Sequence, residues 1–302
     1  MSFALLFSGQ GTQHPAMLPW LADDELVRDM CARLGVDDWR RALADPRWAE
    51  RNDNAQTLLT CLSLAAWGQL APMVPLPEAV AGYSVGELAA FSAAGVIEPA
   101  TAATLAAQRA DAMDRCAALM PGGLLAVSGL SEQRLEELRA DAGLALAIRN
   151  GNGNVILGGP RAALDRAEPI AVAAGAQCTR LRVHVASHTP WMREAAESFA
   201  KTLAAVPFHS PRVVLFSNAG DRVRDAASAR TALAAQIAAT VRWDECMENL
   251  MARQVRCVLE VGPGQALARM WNQRYPTVPA RACDDFRSAA AIAAWLDSHA
   301  DR

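Results

Sequence analysis

Gly82-Tyr83-Ser84-Val85-Gly86 lies between an apolar run, Ala79-Val80-Ala81, and a helix-forming run, Glu87-Leu88-Ala89-Ala90. A Gly-x-Ser-x-Gly pentapeptide in that setting reads as a strand that turns sharply into a helix and lifts a serine hydroxyl to the edge of a sheet. Small residues are needed because such a turn is strained and the chain packs closely on itself. The helix behind the turn points its first amide N–H groups at the site, where they favour developing negative charge. Alone the pentapeptide is a weak pattern that also arises by chance, so the rest of the chain decides its meaning.

The flanking segments alternate between short apolar runs and helical periodicity. Phe3 to Phe7 reads as a buried parallel strand that ends in a glycine-rich loop, Ser8-Gly9-Gln10-Gly11-Thr12-Gln13. Helical material follows from Leu18 to Trp48, broken at Gly35 and Pro46, and then a long helix from Asn54 to Leu70 with an apolar face at Leu58, Leu62, Ala65 and Ala66. After the elbow, Glu87 to Ala94 and Pro99 to Leu119 read as helices. Arg109 stands among small and apolar residues of the second, where by itself it reads as a side chain snorkelling to solvent.

The texture changes at Pro121-Gly122-Gly123. Strands are expected at Leu124 to Leu130, Leu144 to Arg149, Val155 to Leu157 and Cys178 to Val183, with helices at Glu132 to Asp141 and Arg161 to Ala174. A turn-rich link, Asn150-Gly151-Asn152-Gly153-Asn154, joins the middle strands. The order βαββαβ is the ferredoxin-like pattern. It implies a small subdomain, residues 121–183, inserted in a larger α/β domain made of residues 1–120 and 184–302. The larger part resumes at Val185-Ala186-Ser187-His188, which opens a helix through Leu203 and sets His188 at a loop-to-helix junction. A strand at Val213 to Phe216, a helix at Arg230 to Ala239 and a strand at Cys257 to Val261 follow, the last ending in Gly262-Pro263-Gly264. Strands alternating with helices imply a mainly parallel sheet covered on both faces, an α/β fold.

Composition narrows the function. Twenty-nine basic against 32 acidic residues, net charge −3, give no general attraction to nucleic acid or to an anionic membrane. The chain has no apolar run of membrane-spanning length and no signal peptide at Met1 to Phe7, so a cytoplasmic protein is expected. Seven scattered cysteines read as reduced thiols, and neither they nor the five dispersed histidines offer a metal site. His14, His184, His209 and His299 read as surface or packing residues, and Trp39, Trp48 and Trp243 as packing. What remains is a serine at an elbow, a histidine at a helix start and glycine-rich loops at two other strand ends, which can converge where open α/β sheets bind ligands. A serine nucleophile needs a base, donors for an oxyanion and a group that orients the base. The residues thus point to acyl transfer through a seryl ester, with acyl group and acceptor unspecified.

Ser8 to Gln13, Gly82 to Glu87, Gln108-Arg109, Asn150 to Gly159, Val185 to His188, Gln236 to Trp243 and Glu260 to Gly264 occur in this order over nearly the whole chain. Together they resemble the malonyl-CoA:acyl carrier protein transacylases. The resemblance implies an α/β-hydrolase-like large domain carrying the ferredoxin-like small one. It implies Ser84 as nucleophile, His188 as general base and acid, and the backbone amides of Gln10 and Val85 as oxyanion hole. Arg109 falls where the family pairs an arginine with malonate's free carboxylate, and Gln236 where a backbone carbonyl orients the histidine. The implied reaction is ping-pong. Malonyl-CoA acylates Ser84, and the phosphopantetheine thiol of an acyl carrier protein takes the malonyl group, with no bound cofactor and a monomeric enzyme expected.

Several positions depart from the family pattern. Tyr83 stands where histidine is most frequent, Ser8 and Ala186 where proline is common, and Gln265 where lysine is frequent. Tyr83, Ser187 and Met113 are expected at the acyl pocket, and Ser187, being small, leaves room for a branched group such as methylmalonyl. These departures fit a specialised relative, either the epsilon subunit of malonate decarboxylase or a discrete transferase of a polyketide pathway. A serine esterase or thioesterase shares the elbow and is the alternative of a different class. Such a hydrolase of neutral esters has no use for a buried cation at Arg109.

Overall fold

The computed structural model describes residues 2–151 and 153–300, so Met1 of the N-terminal run and Asn152 of the turn-rich link lie outside the described residues. The first half runs β1 (Phe3–Phe7), α1 (Glu25–Leu34), α2 (Trp39–Ala42), α3 (Pro46–Ala49), α4 (Asn52–Leu70), β2 (Ala79–Gly82), α5 (Gly86–Ala93) and α6 (Pro99–Leu119). A second group follows: β3 (Gly122–Ser128), α7 (Glu132–Ala142), β4 (Ala145–Gly151), β5 (Asn154–Pro160), α8 (Arg161–Ala173) and β6 (Gln177–Arg180). The chain then runs α9 (Arg193–Ala204), β7 (Val214–Phe216), β8 (Arg222–Val223), α10 (Ala226–Ala235), β9 (Val241–Arg242) and α11 (Trp243–Met251). It closes with β10 (Cys257–Val261), α12 (Ala266–Arg274), β11 (Ala280–Ala282) and α13 (Ala289–Ala300).

A six-stranded sheet has the order β11-β10-β1-β2-β7-β8. Its strands are parallel except β8, which pairs antiparallel with β7. β1 is buried at every position, as a central strand covered on both faces must be, and so reads as an unbroken apolar run. The ends of β1, β2 and β10 lie side by side, with Phe7 opposite both Gly82 and Val261. The three loops that follow them, including the elbow, therefore emerge at one edge.

The second sheet has the order β6-β3-β5-β4-β9. Its first four strands with α7 and α8 have the ferredoxin-like connectivity, and α7 and α8 bury a separate small core around Leu125, Leu157 and Leu164. The fifth strand is new relative to the sequence reading. β9 comes from beyond residue 183 and pairs parallel with β4, Val241 opposite Ile148. A two-residue strand carries too little periodicity to be seen in sequence.

Two helix starts also differ. α10 begins at Ala226 rather than Arg230, because Asp225 and Ser228 form a reciprocal cap: Asp225 Oδ1 accepts from Ser228 N at 2.8 Å and Ser228 Oγ from Asp225 N at 3.1 Å. The helix ends at Ala235 and leaves Gln236 as its C-cap. The helix expected from Val185 begins only at Arg193, because Pro190 opens a short 3-10 turn before it. His188 thus lies on the loop ahead of the helix, with φ of 63°.

Candidate active site

Ser84 has φ of 54°, the left-handed region that a β-strand-to-helix elbow imposes on its central residue. The flanking glycines are dictated by packing. A Cβ on Gly82 would lie 2.2 Å from the carbonyl of Gly86, and one on Gly86 would lie 2.3 Å from the Phe7 carbonyl oxygen. The elbow is pinned by Asn218, at the end of β7 and fully buried. Its Oδ1 accepts from Ser84 N at 2.7 Å, its Nδ2 donates to Gly82 O at 2.6 Å, and its own N–H donates to Glu87 Oε1 at 2.5 Å.

Ser84 Oγ lies 2.7 Å from His188 Nε2, and His188 Nδ1 lies 2.6 Å from the Gln236 carbonyl oxygen. The carbonyl can only accept, so Nδ1 carries the proton and Nε2 is left as the acceptor for the serine hydroxyl. The next carbonyl, Ile237, accepts from the His188 backbone N–H at 2.8 Å, so one short segment grips both the ring and the backbone of His188. Burial pulls the imidazole down to about 3, aided by the positive charge of Arg109 and opposed by the Gln236 carbonyl. The ring is therefore neutral near pH 7, with Nε2 facing the serine hydroxyl as an acceptor.

Arg109, on α6, is linked to this pair through the Gln236 side chain. It is 1% exposed. Its Nη1 donates to Gln56 Oε1 at 2.5 Å and its Nη2 to Gln236 Oε1 at 3.3 Å, while Nε finds no partner. Gln236 Nε2 in turn donates to Ser84 O at 3.4 Å. Among the described residues Arg109 makes hydrogen bonds to amide oxygens and none to a carboxylate. Burial brings the guanidinium down to about 10, with Glu87 opposing, so it remains a cation near neutrality. A buried cation held only by neutral amide oxygens retains capacity for an anionic partner.

A cavity of about 210 Å³ opens over Ser84 and His188, lined by the Ser8 to Thr12 loop, Tyr83, Ser187, and residues of the second sheet such as Leu124, Ile148 and Ile156. Gln10 lies on its rim, and neither the Gln10 nor the Val85 backbone N–H donates to a protein acceptor among the described hydrogen bonds. Tyr83 and Ser187 line the cavity. Met113 does not. It is buried on α6 and its sulfur accepts from Gln56 Nε2 at 3.4 Å, because α6 turns that face toward α4. Arg109 also lies outside the cavity wall, one glutamine side chain away from Ser84.

Comparisons with known proteins identify the family. The sequence profile of the acyl transferase domain matches residues 4–300. The chain belongs to this family. This acyl transferase is 35% identical over 293 residues to the malonyl CoA-acyl carrier protein transacylase of Mycobacterium tuberculosis, covering 92% of this chain and 95% of that one. It is 32% identical over 309 residues to the transacylase of Salmonella typhimurium, covering 97% and 98%. In structure it matches the malonyl-CoA:acyl carrier protein transacylase of Xanthomonas oryzae with a TM-score of 0.89 at 29% identity, over 99% of this chain and 100% of that one. A malonyl-transacylase solved in complex with its type II PKS acyl-carrier protein matches with a TM-score of 0.87 at 28% identity, over 96% and 98%.

Three residues of the acyl transferase's site escaped the sequence reading. Asn218 lies 134 residues from Ser84, and nothing in its neighbourhood announces a partner. Gln56 sits in α4 among Asn52, Asn54, Thr57 and Thr60, so one more polar residue there carries no signal. Glu87 follows the pentapeptide and reads as an ordinary first-turn acid. In the fold it is fully buried, and burial pushes its carboxyl up to about 8. Among the described residues no group of three or more metal-ligating side chains converges, and no helix is long and apolar enough to cross a membrane.

Proposed function

We propose that this acyl transferase moves a malonyl group from malonyl-CoA to the phosphopantetheine thiol of an acyl carrier protein through an ester on Ser84. The observation that carries the reading is the relay from Ser84 Oγ to His188 Nε2 at 2.7 Å and from His188 Nδ1 to Gln236 O at 2.6 Å, with a buried Arg109 that lacks an anionic partner beside it. The names of the relatives supply the acyl group and the carrier.

In the first half-reaction His188 takes the Ser84 proton as the serine oxygen attacks the thioester carbonyl. The Gln10 and Val85 amides receive the negative charge on the tetrahedral oxygen, an arrangement in which one donor is worth on the order of a hundred-fold in rate. The intermediate collapses, the imidazolium protonates the departing thiolate, and coenzyme A leaves. The second half-reaction runs the same steps with the carrier thiol as nucleophile and Ser84 as leaving group. Gln236 orients His188 through its carbonyl, which fixes the tautomer without adding a buried charge. Arg109 holds the free carboxylate once the Gln236 side chain, which separates it from the cavity, moves aside: a charged, two-point acceptor then replaces the neutral Gln56 and Gln236 oxygens on its fork.

The reaction so read needs no bound cofactor. The same reading takes residues 1–120 and 184–302 as the catalytic domain, residues 121–183 as the small one, and the enzyme as a cytoplasmic monomer. Intact-mass spectrometry after incubation with malonyl-CoA tests it. A malonyl adduct on Ser84, lost in Ser84→Ala and discharged by holo carrier protein, is expected. An adduct on another residue, or release of free malonate faster than transfer, would overturn it.

A further inference from the structure

Tyr83, the variable residue of the elbow, has no part in the chemistry above, yet it is held on three sides. Its ring meets buried Trp243 edge-on, with centroids 5.2 Å apart. A Cβ on Gly9 would lie 2.8 Å from Tyr83 Cδ1, so the loop backbone presses directly on the ring. Its hydroxyl donates to Asn150 Oδ1 at 3.1 Å, crossing from the elbow to the end of β4 in the second sheet. Burial raises the phenol well above its ordinary value, so it stays a donor.

Asn150 faces a second cavity. An outer cleft of about 420 Å³ lies between the second sheet and α11 and α12, and it abuts the catalytic cavity, since Ile156, Leu181 and Met270 line both. Tyr83 lines the inner cavity and Asn150 the outer cleft, so their hydrogen bond sits at the boundary. An asparagine side chain offers one acceptor oxygen and an NH₂ with two donors. Here the oxygen is taken by Tyr83, which fixes the amide plane, and no protein acceptor engages the NH₂ among the described hydrogen bonds. The cleft wall mixes further polar groups, Ser128, Gln177 and Thr179, with apolar Ala126 and Val155. That mixture suits a chain of methylenes interrupted by amides.

We propose that Tyr83 is a positioning residue for the thiol arm: it holds Asn150 so that the Asn150 NH₂ donates to an amide carbonyl of a long, amide-bearing thiol seated in the outer cleft. The arm then passes Ile156, Leu181 and Met270 to bring its sulfur to Ser84. This inference rests on the acyl-transfer reading, and the arm can come from coenzyme A in loading or from phosphopantetheine in unloading.

The test compares loading of Ser84 by malonyl-CoA with loading by the malonyl thioester of a simple alkanethiol that has no amide, and then unloading onto pantetheine. In Tyr83→Phe the preference for malonyl-CoA over the amide-free thioester should fall roughly three- to ten-fold, the worth of one net hydrogen bond, carried by KM rather than kcat. Asn150→Ala should lose the same preference, and adding Tyr83→Phe to it should cost little more. Asn150→Asp, which keeps the acceptor for Tyr83 but lacks the NH₂, should be as poor as Asn150→Ala. A loss confined to loading assigns the contact to coenzyme A, and one in unloading assigns it to the carrier's arm. If both thioesters suffered equally, or if the two losses added, Tyr83 would act on the elbow itself and the proposal would fall. A wild-type enzyme that formed no Ser84 ester would instead overturn the acyl-transfer reading beneath it.

Discussion

Asn218 accepts the backbone N–H of Ser84 at 2.7 Å and donates to Gly82 O at 2.6 Å, so one buried side chain closes both sides of the strained turn. The turn holds Ser84 at a φ that a residue with a Cβ rarely adopts. Strain of this kind persists only when surrounding contacts over-determine it. Asn218 is the contact that does so, and it also ties the elbow to β9 through Arg242 N, which donates to Asn218 O at 3.0 Å.

Asn218→Ala therefore strands two backbone groups in the interior. Each stranded group costs roughly 1–3 kcal/mol. We expect a lower melting temperature together with a fall in kcat that exceeds any change in KM, because Ser84 loses its alignment with His188. A variant with native kcat would show that the elbow holds its shape without Asn218.

Arg109 supplies a second expectation. Replacing it by alanine should lower kcat/KM for malonyl-CoA by about ten-fold or more, the scale of a lost charge-assisted hydrogen bond, while acetyl-CoA gains relative to malonyl-CoA. Lysine should restore little, since a point charge cannot reproduce the two-point fork. Burial is the larger cause of the lowered His188 pKa, and the positive charge of Arg109 adds to it. In Arg109→Gln the imidazole should titrate at higher pH than in the wild type, where it lies at about 3, as followed by NMR of the ring protons. An imidazole pKa that stayed put would dissociate the two groups electrostatically.

Glu87 gives a pH signature of opposite sign to that of His188. Its folded-state carboxyl is raised by burial to about 8 from 4.5, so the native state binds the extra proton. The stability it contributes is fully present below about 4.5 and is lost as pH rises toward 8. His188, depressed from 6.5 to about 3, contributes stability that is present above 6.5 and lost as pH falls. Glu87→Gln keeps an oxygen for the Asn218 N–H and removes the titration. Denaturant melts at pH 6 and pH 8.5 should differ less in this variant than in the wild type. An unchanged pH dependence would remove Glu87 as its source.

Much of the molecule is legible in its amino-acid sequence. The elbow could be read because its requirements are local: an apolar strand, two glycines that admit Gly86 against Phe7, and a helix start, all within a dozen residues. The alternation of strands and helices announced the parallel sheet because burial on both faces leaves unbroken apolar runs such as Phe3–Phe7. Arg109 was ambiguous from its own helix, where a lone arginine reads as snorkelling, and only the family resemblance gave it a role.

The amino-acid sequence by itself determined most of the elements and their order and offered Ser84 and His188 as candidates for the reacting pair, since periodicity, turn chemistry and motif spacing are properties of contiguous residues. The tertiary structure alone decided what surrounds that pair. It brought Asn218 to Ser84, set Gln236 between Arg109 and Ser84, left Met113 outside the cavity and joined Tyr83 to Asn150 across two sheets. Those contacts depend on how separate segments pack, and a hydrogen bond between residues 67 or 134 positions apart leaves no periodic trace in the chain.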